Sequence, residues 1–251
     1  MFITLLGTGA PLMPDRATMG LLISAPGCEP LLIDTCGGFE ITRQLACCGA
    51  ALSEIKNVIV THRHLDHAGG IQALLLAGIP LEVHANRDTH EGINSVTAGC
   101  FPEWKQNRDV HRHEVSAGSS YEIGGFEVEF FQAVHRVPTL AVRVTSGSKA
   151  FAFSSDSLPC EAVIACARSA DLFLCDTICA ETDGELAAKR AHDLMHPTAR
   201  QAAEMAEQAG VGRLACTHIG RFGNAGRILA EAQAGFRGTV SVPSDGTRLS
   251  L

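Results

Sequence analysis

The chain has 251 residues, 46% of them apolar and 19% charged, enough for one large α/β domain or two small ones with a real core. A formal net charge of −7 and the lack of any Lys/Arg run argue against a nucleic-acid binder, which needs a basic face for phosphates. No stretch approaches the roughly 20 apolar residues of a membrane span, and the opening Met1-Phe2-Ile3-Thr4-Leu5-Leu6-Gly7 lacks the basic lead of a signal peptide. The ten cysteines, none in a CxxC pair, are therefore expected to be reduced and the compartment to be cytoplasmic.

In chain order, strands are expected at 2–6, 20–24, 30–33, 58–60 and 81–84, with helices at 39–48 and 70–77 between them. Residues 120–123 and 126–131 flank Gly124-Gly125 as a hairpin, followed by strands at 140–145 and 149–153. A helix at 159–169 leads to a strand at 172–175. A second helix at 198–209 carries Thr198 three residues before Gln201, a capping box, and Gly210 as its stop. A strand at 213–217, a helix at 226–234 and a strand at 239–242 close the chain. Strands come first in runs and then interleave with helices, which suggests two packed sheets with helices outside. No linker or repeat divides the chain, so one domain spanning residues 1–251 is expected.

The strongest chemical signal is Thr61-His62-Arg63-His64-Leu65-Asp66-His67, directly after the apolar strand at 58–60. In an extended turn, His62 and His64 point the same way and can share an ion. If a helix begins at Ala68-Gly69-Gly70, Asp66 and His67 swing towards a second ion. Imidazole and carboxylate donors suit zinc, with iron or manganese as alternatives. The bland alternative, a solvated loop holding histidines by chance, fits one histidine far better than four metal-competent side chains within six residues.

This HxHxDH loop resembles the signature of the metallo-β-lactamase superfamily, and most closely its ribonuclease Z and arylsulfatase-like branch. Gly7-Thr8-Gly9 after the first strand, Arg16, and Ile33-Asp34-Thr35-Cys36-Gly37 resemble further landmarks of that branch. The resemblance implies a four-layer αββα sandwich of two mixed sheets with helices outside. It implies His62, His64 and His135 on a first metal, Asp66, His67 and His218 on a second, and Asp156 bridging. Asp34 is expected to hold the metal loop rather than to ligate. A metal-bridging hydroxide would attack the substrate, so Asp66 counts as both ligand and catalytic residue. His196 resembles the family's non-ligand histidine, which would protonate a leaving group. Asp176, standing where relatives often carry Glu, would orient it. Ser155 precedes Asp156 where Gly is usual.

The implied activity is a dinuclear hydrolase of a small anionic ester, first a phosphodiester, with sulfate esters, lactones and carboxylic esters as competitors. tRNA is not expected as a partner, because His135 and Asp156 are only 21 positions apart, too few for a long basic arm. A homodimer is the assembly the resemblance allows, and no membrane partner is expected. An iron-dependent oxidoreductase and a non-catalytic metal-binding regulator are the alternatives of another class. His64 disfavours the diiron flavoproteins, and a single iron would leave His67 idle. Gly7-Thr8-Gly9 is not a dinucleotide loop, since Leu12 stands where the third glycine belongs. The SxxK matches at 53–56 and 146–149 lack companion motifs. His111-Arg112-His113 is expected to be a surface loop and His192 a rim residue, while His84 and His90 are uninformative. The segment 89–108 is expected to be a loop, with Phe101 and Trp104 forming a lid, a pocket wall or a core cover.

Overall fold

The computed structural model describes residues 1–102 and 110–251, so Trp104 lies outside the described residues. The first sheet is built from β1 (Phe2–Gly7), β2 (Gly20–Ser24), β3 (Leu31–Thr35), β4 (Asn57–Ile59), β5 (Leu81–Ala85) and β6 (Val110–Glu114). The second contains β7 (Ser120–Ile123), β8 (Phe126–Gln132), β9 (Leu140–Ser146), β10 (Lys149–Phe153), β11 (Leu172–Asp176), β12 (Arg213–Thr217) and β13 (Thr239–Ser241). The chain ends in β14 (Arg248–Ser250), which returns to the first sheet beside β1. The helices are α1 (Glu40–Cys47), α2 (Leu65–Ala68), α3 (Ile71–Leu76), α4 (Arg87–Cys100), α5 (Glu161–Ala167), α6 (Glu185–Leu194), α7 (Ala199–Ala209) and α8 (Ala225–Gly235).

Strand order is β14-β1-β2-β3-β4-β5-β6 in one sheet and β13-β12-β11-β10-β9-β8-β7 in the other. Each is mixed: antiparallel hairpins at one side, then parallel pairs from β3 to β6 and from β10 to β13. The period-two alternation of side chains sorts the core into layers. Ile3, Leu5, Leu21 and Ile33 pack between the sheets against Phe130, Val142, Phe151 and Leu174. On the outer face of the first sheet, Leu6, Leu32 and Val58 meet Ile41 and Leu45 of α1 and Leu74 of α3. On the outer face of the second, Phe173 and Leu214 meet an alanine-rich stripe of α7, Ala199, Ala202, Ala203, Ala206 and Ala209. The result is the expected four-layer αββα sandwich.

Four elements differ from the sequence reading, one of them the closing strand β14, since no strand was expected beyond residue 242. Residues 87–100 form α4 instead of a loop, begun by the Asn86 side chain accepting from Thr89 N at 2.8 Å. His111-Arg112-His113 lies on β6, an edge strand in parallel register with β5, and not on a surface loop. Helix α6 was not anticipated at all. Among the described residues, no helix is long and apolar enough to cross a membrane.

The consequence for chemistry lies in where the strands stop. β4, β10, β11 and β12 all end at one edge of the sandwich, and in open α/β sheets ligands gather outside the carboxyl ends of parallel strands.

Candidate metal centre

Buried β4 runs directly into Val60, Thr61 and His62, all without solvent contact. His64 is the extended N-cap of the short α2, so the next turn carries Asp66 and His67 to the opposite side of the loop. His62 Nε2 lies 3.0 Å from His64 Nδ1, which in turn lies 3.2 Å from His135 Nε2. Those three nitrogens and Asp156 form one group whose donor atoms all fall within 4.8 Å. Asp66, His67, Asp156 and His218 form a second group of the same kind.

Asp156 is common to both. Its Oδ2 lies 3.6 Å from His62 Nε2 and 3.7 Å from His135 Nε2, while its Oδ1 lies 3.2 Å from His67 Nε2 and 3.7 Å from His218 Nδ1. One carboxylate oxygen therefore faces each histidine set. Asp66 Oδ2 stands 3.5 Å from His67 Nε2 and 3.2 Å from His218 Nε2. All seven residues expected as ligands converge in this one place.

A third group joins Asp156 and His218 to Asp176 and His196. His196 Nδ1 lies 2.7 Å from Asp176 Oδ2, so the shorter aspartate does reach it. His218 Nδ1 lies 3.3 Å from Asp176 Oδ1.

Of the surrounding contacts, the sequence pointed to Asp34 as the residue that holds the metal loop, and the other partners were not legible in it. Asp34, without solvent contact, accepts from His67 Nδ1 at 2.7 Å and from Thr61 N at 2.8 Å. Thr61 Oγ1 lies within 3.1 Å of His62 Nδ1 and receives the Ser155 hydroxyl at 2.8 Å. Asp34, Ser155 and His218 have φ of 57°, 50° and 58°. Left-handed backbone at a non-glycine residue is strained and clusters at functional sites. Glycine would adopt the same backbone at position 155 without that strain.

The site passes a physical test for divalent cations. His67 Nε2 and His218 Nδ1 are buried without a hydrogen-bond partner. Asp34 takes the Nδ1 proton of His67, which leaves the Nε2 lone pair facing the carboxylates, the arrangement of a ligating histidine. Burial opposes charge on His67, yet Asp156, Asp34 and Asp66 hold it well above the usual imidazole range. His218 is carried up to about 10 against its burial by Asp156, Asp176 and Asp66. Burial would raise Asp156, but His218 and His67 hold it well below the usual carboxylate range. His62, His64 and His135 are pushed down by burial. Carboxylates gathered this tightly demand positive charge, and imidazole and carboxylate donors match a divalent metal.

His111 and His113 stand apart from this centre, their ring nitrogens 3.1 Å and 2.6 Å from the Glu82 carboxylate. His84 stacks on His113, and His90 Nε2 donates to the His113 carbonyl. His192 is exposed at the surface. Phe101 is the C-cap residue of α4.

Fold and site together define a metal-dependent hydrolase of the metallo-β-lactamase fold. The chain belongs to the beta-lactamase superfamily, whose domain model matches residues 30–219. A ribonuclease Z of Mycobacterium bovis is 28% identical over 278 aligned positions, covering 99% of this chain and 98% of its own. The metallo-beta-lactamase fold protein YhfI of Bacillus subtilis superposes with a TM-score of 0.83 at 22% identity over 99% of both chains. The short form of human tRNase Z does so with a TM-score of 0.77 at 21% identity, over 100% of this chain and 99% of its own.

These relatives correct one expectation. A small-ester substrate with no tRNA partner rested on the short interval from His135 to Asp156 and on net charge. Full-length similarity to ribonuclease Z proteins overturns it. The interval is filled by the β9–β10 hairpin, and a whole-chain charge does not describe the face that meets a substrate.

Proposed function

We propose that this chain hydrolyses phosphodiester linkages, RNA of the tRNA class included, with two divalent cations, zinc first among them. His62, His64 and His135 would hold one and Asp66, His67 and His218 the other, with Asp156 shared. The observation that carries this reading is the placement of the two Asp156 oxygens, one towards each histidine set. When bound, the cations supply Lewis-acid charge at the reacting phosphoryl group.

The remaining chemistry belongs to the chain. Asp34 and Thr61 fix the orientation of His67 and His62. Asp176 accepts the Nδ1 proton of His196, so its Nε2 is the nitrogen free to give a proton to the departing oxygen. Its ring lies 5.0 Å from the His218 ring and 5.2 Å from the His135 ring, within reach of both histidine sets.

The test is turnover of bis(p-nitrophenyl) phosphate and of a precursor tRNA with a 3′ trailer by zinc-reconstituted protein, beside a sulfate ester and a lactone. Phosphodiester cleavage is expected to vanish on complete chelation and return with zinc. Asp156→Ala is expected to lose zinc and turnover together. Faster turnover of the sulfate ester or lactone, or activity that survives chelation, overturns the reading.

A further inference from the structure

A cavity of about 480 Å³ opens beside His196, within the roughly 300–1,000 Å³ typical of small-molecule sites. Its wall is largely apolar: Ile178 after β11, Ala187, Ala191 and Leu194 of α6, and Phe222 after His218. Leu194 and Phe222 remain 44% and 43% exposed, so the cavity presents apolar surface to an occupant. The rim also carries two cations. The guanidinium carbons of Arg190 and Arg221 lie 4.4 Å and 4.6 Å from the centre of the Phe222 ring. Neither forms an ion pair with a carboxylate among the described residues, although Asp193 shares the rim. Planar cations laid on an aromatic ring and short of counter-charge are suited to a flat ring with an attached phosphate.

We propose that this pocket receives the nucleotide on the leaving side of the scissile linkage, its base against Leu194 and Phe222 and its further phosphate at Arg190 and Arg221. The inference rests on the phosphodiester reading above. The side follows from His196, which lines the cavity on one flank and meets the metal-binding histidines on the other. In hydrolysis, water forms the new bond to phosphorus and the bond from phosphorus to the nucleoside oxygen breaks. That oxygen takes one proton and leaves as a hydroxyl into this pocket. Phe222, Arg190 and Arg221 thus determine specificity and do not act on the bond.

The experiment is calorimetric binding of uridine 5′- and 3′-monophosphate, with ribose 5-phosphate as the base-free control, to the zinc-reconstituted protein. The tighter nucleotide is expected to bind about tenfold or more tightly than the control, the range of one base stacked on side chains. Phe222→Leu is expected to bring that ratio close to one, and Phe222→Tyr to preserve it. Arg190→Gln with Arg221→Gln is expected to weaken nucleotide binding about tenfold and flatten its salt dependence. A ratio near one in the unaltered protein overturns the proposal, as does an equal ratio in Phe222→Leu. Should Phe222→Leu not fold, unchanged affinity and salt dependence in the double arginine variant overturns it instead. Base-selective binding without hydrolysis would sink the phosphodiester reading and keep the pocket. Hydrolysis without base selectivity would do the reverse.

Discussion

Asp34→Asn is the substitution that most directly tests how the centre is held. The native carboxylate accepts from His67 Nδ1 at 2.7 Å, from Thr61 N at 2.8 Å and from Thr61 Oγ1 at 2.9 Å. Asparagine keeps one accepting oxygen and places an NH₂ where the other stood. If that oxygen stays with Thr61, the NH₂ faces His67 Nδ1 and the imidazole must move its proton to Nε2. The lone pair that faces Asp66 and Asp156 is then lost. If the amide flips instead, the Thr61 N–H is left unsatisfied in the interior. In the flipped case one buried polar group loses its partner, which costs about 1–3 kcal/mol, too little to unfold a domain of ordinary stability. The effect on metal is larger in kind: loss of a partner that orients a ligating histidine lowers affinity roughly 10–100-fold. Chelator competition should show one of two zinc ions weakened by that factor, with the other nearly unchanged. Urea unfolding in chelator should report the small stability loss separately. Two zinc ions bound at native affinity in a folded Asp34→Asn protein would refute the argument that Asp34 sets the His67 tautomer.

Gly70→Ala should disrupt the same centre from its scaffold. A Cβ there would stand 1.8 Å from the Thr35 carbonyl oxygen, and Thr35 Oγ1 also holds the His67 carbonyl at 2.8 Å. A loss at the upper end of the roughly 1–3 kcal/mol range of overpacking is expected in urea melts, with weakened zinc binding; an unchanged midpoint would contradict it. His196→Ala should lower kcat roughly 10²–10⁴-fold while elemental analysis still finds two zinc ions, and equal turnover would remove its role as proton donor. His84 gives a pH test away from the metals. Burial and then the stacked His113 push it down to about 4, with Glu82 opposing. The unfolded chain binds this proton near 6.5 and the folded chain only near 4, so stability is full above that window and falls as pH drops through it. After discounting for partial exposure, His84→Leu should remove on the order of 1–2 kcal/mol of the loss between pH 7.5 and 4.5. Parallel urea midpoints for both proteins would expose an error.

The elements that read clearly in the sequence are those whose local signals agree with their packing. Helix α7 begins at Thr198 with its capping box to Gln201 and stops at Gly210 in left-handed geometry, as its residues imply. Helix α4 is the opposite case. Its Thr89, Ile93, Val96 and Thr97 are β-branched and Gly92 and Gly99 interrupt it, so propensity points away from a helix. The Asn86 cap and the burial of Thr89, His90 and Ile93 override that preference. Gly92 is needed because a side chain there would meet Arg63 at 2.9 Å. Helix α6 has a helical composition but no side-chain cap, and it ends at Met195 in left-handed backbone where glycine is the usual mark. Strand β6 reads as polar because it is an edge strand whose His111 and His113 share Glu82 on β5.

The metal centre and the substrate side differ in legibility for a chemical reason. A histidine or aspartate immediately after an apolar strand is conspicuous, because a polar group placed there must be satisfied by something. The cavity wall is made of Ile178, Ala187, Ala191 and Leu194, which in sequence cannot be told from core residues. Only the fold shows that Leu194 and Phe222 stay exposed. Net charge misled for a related reason. The total of −7 counts Asp34, Asp66, Asp156 and Asp176, which are gathered around the imidazoles instead of facing solvent. Two divalent cations would offset four of those seven negative charges, and what then meets an anionic substrate at the cavity rim is Arg190 and Arg221 against Asp193. The charge that selects a substrate is the charge within about one Debye length of the reacting bond, roughly 8–10 Å, and not the sum along the chain.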